Sequence, residues 1–317
     1  MSARLDKKML WVVVVTLLAG CARTHEVTPT DGGSADSTAD TGDGSADGDS
    51  DADHDPDFDT PPADVLIYTH SRDTLYAFSA ARNAVVSSVR FTLPSGAEAP
   101  YMVDLAVNGA GDVYTSSDDG LYRVEPETGV ATLVGDFHDD TGALLNRDLG
   151  LRLYALTFVP RSLYPDARAD EVLIGAANEG DCFEVDPATA LSRAIGSYPT
   201  PWRSSGDLVS VAGLSTTFAT LREDGSPRED PDYMAEITFR PGGRIEISSP
   251  QPVRNDDRVF VQVFGLGYWG RSLYGFTNSG ELIVIDRTTA ESHLATEDTG
   301  ASQFWGAGVT TQVPVVY

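Results

Sequence analysis

Asp112-Val113-Tyr114-Thr115, followed by Asp119-Gly120-Leu121-Tyr122-Arg123-Val124-Glu125-Pro126-Glu127-Thr128-Gly129, reads as strand, polar turn, strand, polar turn. Short apolar runs alternate with Asp, Gly, Pro and Thr, which is the pattern of antiparallel hairpins joined by tight turns. Four further stretches repeat it. Asp73-Thr74-Leu75-Tyr76-Ala77-Phe78-Ser79 precedes it, and Asp181-Cys182-Phe183-Glu184-Val185-Asp186-Pro187 and Glu281-Leu282-Ile283-Val284-Ile285-Asp286 follow. A fainter copy is Glu236-Ile237-Thr238-Phe239-Arg240, which turns at Pro241-Gly242-Gly243.

Spacing turns the repeats into an architecture. Equivalent positions fall at 79, 125, 186, 240 and 286, with no convincing amphipathic helix between them. Hairpin units of this length around an all-β domain predict propeller blades of four strands. The first unit lacks an innermost strand like Met102-Val103-Asp104-Leu105-Ala106-Val107, and Phe304-Trp305-Gly306-Ala307-Gly308-Val309 could supply it. The expectation is a five-bladed propeller over residues 63–317, closed by pairing the two chain ends so that no edge is left open. Six blades would follow if a long loop hid another hairpin.

The repeat, Leu-Tyr followed by Val-Asp/Glu-Pro-x-Thr-Gly, resembles NHL and YVTN type propellers and bacterial propeller lipoproteins of unassigned role. The resemblance implies strand and turn positions and carries over no catalytic residue.

The N-terminus has a different character. Arg4, Lys7 and Lys8 precede an apolar run from Met9 to Leu18, too short to span a bilayer but suited to a removable secretory segment. Leu18-Ala19-Gly20-Cys21 resembles the bacterial lipobox. That resemblance implies a signal peptide over 1–20, lipid attachment at Cys21 and, with Ala22 in place of Asp after it, sorting to the outer membrane. The attached acyl chains would serve as a durable anchor, facing either the periplasm or the cell surface.

Residues 21–62 hold almost no large apolar side chains. From Ala22 to Pro62 twelve acidic residues face one basic residue, so the segment reads as a disordered, solvated tether. Asp47, Asp49, Asp51, Asp53, Asp55, Asp57 and Asp59 alternate strictly, as at the start of a calcium loop, but the Gly turn and distal Glu of an EF-hand are missing. Diffuse Ca²⁺ binding is the most this run supports. A net charge of −26 argues against nucleic acid as a partner, because phosphate backbones repel it.

Several motifs reduce to structure. Gly265-Leu266-Gly267-Tyr268-Trp269-Gly270 spells a dinucleotide fingerprint, yet a strand follows where that site needs a helix. Asp140-Thr141-Gly142 and Asp298-Thr299-Gly300 look like aspartic-protease elements but sit in turn-rich contexts. His70-Ser71-Arg72-Asp73 gathers triad residue types in what reads as a solvated turn, and His138 and His293 stand alone. Cys182 takes the slot held by Leu75, Leu121 and Leu282 in sister repeats, which predicts a buried, inert thiol.

Asp104 and Asp207 remain as weak metal-ligand candidates. Both are expected near the starts of innermost strands, where a channel cation could meet them, unless each carboxylate instead binds a neighbouring blade's backbone. No catalytic residue or cofactor is assigned. The primary expectation is a non-catalytic scaffold for a protein, glycan or envelope component, with recognition on the long inserts at 136–150, 161–170 and 222–232. The rival is a metal-assisted hydrolase or lactonase built on the central channel.

Overall fold

The computed structural model describes residues 64–118, 120–145 and 152–316. The signal segment, Cys21 and the acidic tether lie outside the described residues.

The strands form five four-stranded antiparallel sheets. Blade II runs in chain order outward from the axis: β4 (Met102–Val107), β5 (Val113–Ser117), β6 (Leu121–Glu125) and β7 (Val130–Gly135). Blade III repeats this with β8 (Leu153–Pro160), β9 (Glu171–Ala177), β10 (Asp181–Val185) and β11 (Ser192–Ser197). Blade IV has β12 (Trp202–Ser210), β13 (Thr217–Glu223), β14 (Tyr233–Arg240) and β15 (Arg244–Pro252). Blade V has β16 (Val263–Trp269), β17 (Ser272–Thr277), β18 (Leu282–Asp286) and β19 (Ser292–Thr296).

Blade I closes the ring. Its outer strands β1 (Leu66–His70), β2 (Thr74–Ser79) and β3 (Ala84–Arg90) come from the start of the domain, and its inner strand β20 (Gly306–Gly308) comes from the end. Tyr68, Thr69 and His70 pair antiparallel with Gly308, Ala307 and Gly306. The Thr69 hydroxyl donates to the Gly306 carbonyl at 2.8 Å, and the Trp305 amide donates to the His70 carbonyl at 2.8 Å. The expected fold, blade count and closing strand are therefore all present.

Apolar residues pack between blades. Ile67 and Phe78 of blade I meet Leu266, Tyr268 and Phe276 of blade V in one buried cluster, which continues into Val209 and Phe218 of blade IV. Ala155 and Ile174 of blade III pack with Leu221 and Ile237 of blade IV. Ala106 and Leu121 of blade II pack with Leu156 and Leu173 of blade III. Leu75 of blade I joins Met102 and Val113 of blade II. Each blade thus buries its faces against its neighbours, as a sheet with two apolar faces must.

Three motifs resolve into turns and close contacts. Gly265 and Gly267 lie within β16, and only Gly270 (φ 64°) takes the β16–β17 turn. A Cβ on Gly267 would stand 2.6 Å from Ile67 Cγ2, so glycine there lets blade V approach blade I. In the two Asp-Thr-Gly runs Gly142 and Gly300 hold φ of 85° and 74°. The amides of Thr141 and Ala143 donate to Asp139 Oδ1, and the Thr299 hydroxyl donates to the Gly280 carbonyl, so both runs are turns. Cys182 is buried, and burial pushes its thiol far above the usual range. Its predicted inertness follows from the slot it shares with the leucines.

Candidate functional site

Antiparallel connection puts two sets of loops on one face of the ring: the entries to the innermost strands, and the turns between the second and third strand of each blade. Between them lies a funnel of about 540 Å³. Every blade contributes. Entry segments supply Tyr101 and Val103, Arg152 and Tyr154, Ser205 and Gly206, Gln262 and Phe264, and Gln303 and Trp305. Turns supply Arg72, Asp118, Asn178 and Asn278, and the 222–232 insert adds Arg222, Pro227, Arg228, Asp230 and Asp232.

The funnel's charges are unevenly spent. Arg152 pairs with Asp118 at 3.0 Å. Arg72 stacks on Tyr101, 3.9 Å from the ring centroid, and lies 5.2 Å from Trp305. Among the described residues the ion pairs are made by other arginines, and Arg72, Arg222 and Arg228 enter none. The Trp305 indole N–H is buried without an acceptor. Asp232 is buried in the wall, accepts from the Ser205 hydroxyl, and takes the Val263 amide at 2.6 Å. Burial raises its pKa to about 6, against the pull of those hydrogen bonds and of Arg222.

The two sequence-predicted carboxyls, Asp104 on β4 and Asp207 on β12, are fully buried. Asp207 accepts the Leu208 amide at 2.6 Å, the Leu266 amide of blade V at 2.6 Å and the Ala307 amide of blade I at 3.3 Å. Blades IV and I are not neighbours in the ring, so this side chain reaches across the axis. Neither Asp104 oxygen has a hydrogen bond of good geometry: the backbone amides of Leu105 and Leu156 approach it, and the Asp207 carboxyl faces it. Burial pushes both groups well above the usual carboxylate range. Two carboxyls in contact share one proton. The three amides favour negative charge on Asp207, so a proton between the two sits by preference on Asp104. Among the described residues no three His, Cys, Asp or Glu side chains gather to hold a metal ion.

His70 corrects the expected solvated turn. It is buried, its Nδ1 donates to the Ser71 carbonyl at 2.7 Å, and burial lowers its pKa to about 4. Ser71 is buried as well, and only Arg72 and Asp73 are exposed.

The opposite mouth of the channel is strapped. After β20 the chain crosses that face: Thr310 Oγ1 donates to the Asn108 carbonyl, Thr311 Oγ1 to Glu171 Oε2, and the Ala212 amide to the Thr311 carbonyl. The Val316 amide then reaches the Gly270 carbonyl. Blades II to V are tied in turn, so the funnel is a blind pocket.

Of the three long inserts, 222–232 reaches the funnel. The 161–170 insert joins β8 to β9 on the strapped face, and 136–150 is described only to residue 145. Sequence reasoning passed over Arg72, Tyr101, Asp232 and Trp305. A signal was present: the turn following the repeated second strand carries Arg72, Asp118, Asn178 and Asn278 at matching places, polar in each repeat.

No protein-family model matches the chain, and no curated protein matches its sequence. Solved structures resemble it only at a distance. A protein of unknown function from Bacteroides caccae is 8% identical with a TM-score of 0.40, over 79% of this chain and 99% of that one. A gluconolactonase from Xanthomonas campestris is 13% identical with a TM-score of 0.39, over 70% and 69%. The Dos1 propeller is 12% identical with a TM-score of 0.34, over 72% of this chain and 54%, about half, of its own. Likenesses this distant assign no activity.

Proposed function

We propose that the domain is a non-catalytic binding scaffold that seats its ligand in the funnel, and that a lipid on Cys21 holds it at the outer membrane. The observation carrying the first part is the blind funnel, walled by all five blades and lined by arginines of which Arg72 and Arg228 enter no ion pair among the described residues. Convergent polar groups in a well-formed concavity are the default mark of a ligand seat. The groups best suited to proton transfer, Asp104 and Asp207, are fully buried, and Asp207 is committed to backbone amides. The lipobox-like Leu18-Ala19-Gly20-Cys21 and the acidic segment after it support the anchor and a partner met in the cell envelope, on either side of the outer membrane.

Calorimetry with a panel of soluble envelope saccharides and peptides tests the seat. One ligand should saturate one domain, stay chemically unchanged on long incubation, and be lost in Gln303→Trp, which fills the funnel. Binding that survives the filled funnel would move the seat elsewhere. Turnover abolished by Asp104→Asn would make the protein an enzyme. The anchor is tested by radiolabelled palmitate, which should label the chain and fail to label Cys21→Ser.

A further inference from the structure

We infer that the funnel's ligand is a short saccharide bearing carboxylates, a chain of uronic acid units; this rests on the funnel being the binding seat.

Three kinds of group meet there. The first is cationic: Arg72 and Arg228 stand in the wall of a strongly acidic protein without a carboxylate partner among the described residues, and Arg222 stands there with no direct ion pair, only the longer-range pull of Asp232. A guanidinium presents parallel N–H donors that match the two oxygens of a carboxylate. Stacking on Tyr101 uses the flat face of Arg72 and leaves that donor edge available.

The second kind is neutral and polar. Asn278 donates to Gln262 Oε1 at 3.1 Å, which leaves the Gln262 amide N–H groups for hydroxyl oxygens. The third kind is the exposed ring of Tyr101, a surface suited to the C–H face of a sugar.

The same wall excludes other anions. Asp118, Asp230 and Asp232 line it too, so a dianionic phosphate or a dense polyanion meets repulsion where one carboxylate per ring can be accommodated. The volume suits a few rings, not a long polymer buried whole.

The experiment is calorimetry on the full chain with tetragalacturonate, its neutral counterpart galactotetraose, and tetraglutamate, using wild type, Arg72→Gln, Arg222→Gln and Gln303→Trp. Tetragalacturonate should saturate, and each arginine variant should lose about tenfold in affinity. The two arginines sit on different blades, so a misfolded variant, exposed by its melting curve, still leaves the other as a test. Galactotetraose binding as tightly, tetraglutamate binding more tightly, or tetragalacturonate failing to bind would each overturn the inference. Binding lost in Gln303→Trp but indifferent to both arginine changes would sink the acidic class and leave the funnel as the seat. Binding unaffected by Gln303→Trp would sink the seat itself.

Discussion

Single residues at the axis set opposing demands on stability. Asp207 satisfies three amides from two other inner strands and its own neighbour, so Asp207→Ala strands buried donors at about 1–3 kcal/mol each. Asp104 has no hydrogen bond of good geometry and is the preferred site of the shared proton. Asp104→Asn keeps a donor there without needing a proton. Chemical denaturation at pH 7 should therefore find Asp207→Ala severely destabilised and Asp104→Asn at least as stable as wild type; equal losses would refute the assignment of the proton. Asp232 adds a pH term. Its folded pKa of about 6 lies above the unfolded value of 3.8, so the folded state binds its proton more tightly. Stability must then fall as pH rises from about 4 to 6, by about 3 kcal/mol. Asp232→Asn should flatten that part of the profile, and an unchanged slope would assign it to other groups. Only the bond from Asp207 to a neighbouring blade's backbone was legible in the sequence, as the alternative to a channel cation. Asp104 and Asp207 could be placed on inner strands, but their contact depends on how closely five strands crowd one axis. Asp232 sits in an insert that has no counterpart in the other repeats.

At the scale of elements, hairpin grammar carried far. Leu75, Leu121, Cys182 and Leu282 occupy one buried slot on β2, β6, β10 and β18, which is why a cysteine could be called inert from its position alone. The closing strand was legible through an absence, since the first repeat had no inner strand of its own. Glycines were harder to read. Gly306 could be placed on the closing strand, but not the reason it is glycine: a Cβ there would fall 1.9 Å from Asp104 Oδ1 and 2.8 Å from His70 Nε2. Gly306→Ala should thus lower the melting temperature well beyond the usual cost of a surface change; a shift within 1 °C or so would mean that blade I yields at its inner strand. The C-terminal strap left no trace in the repeat pattern, because it belongs to no blade.

At the scale of the whole molecule, clusters that straddle blade boundaries make the ring a single cooperative unit, in contrast to a row of independent repeats. The domain's share of the net charge, −17 of the chain's −26, works against that compact ring through self-repulsion. Raising salt from about 10 to 150 mM shortens the Debye length from about 30 to 8 Å. The melting temperature should rise across that range, and a fall would show that surface ion pairs such as Arg258–Glu281 outweigh the repulsion. The funnel belongs to this scale as well. Its walls are drawn from positions 72 to 305, and composition averaged along the chain hid a pocket with arginines inside an acidic surface.

The pairing of β1 with β20 also imposes an order in time. A ribosome releases the N-terminal end first, so β1, β2 and β3 must wait, with the inner edge of their sheet unpaired, while more than two hundred further residues are made. Blades II to V can begin to stack meanwhile, but blade I is finished only when Gly306, Ala307 and Gly308 emerge. A nascent chain interrupted anywhere earlier ends as a gapped ring with an open sheet edge, ready to be recognised and degraded. The pairing of β20 with β1 is the step on which closure of the whole ring waits.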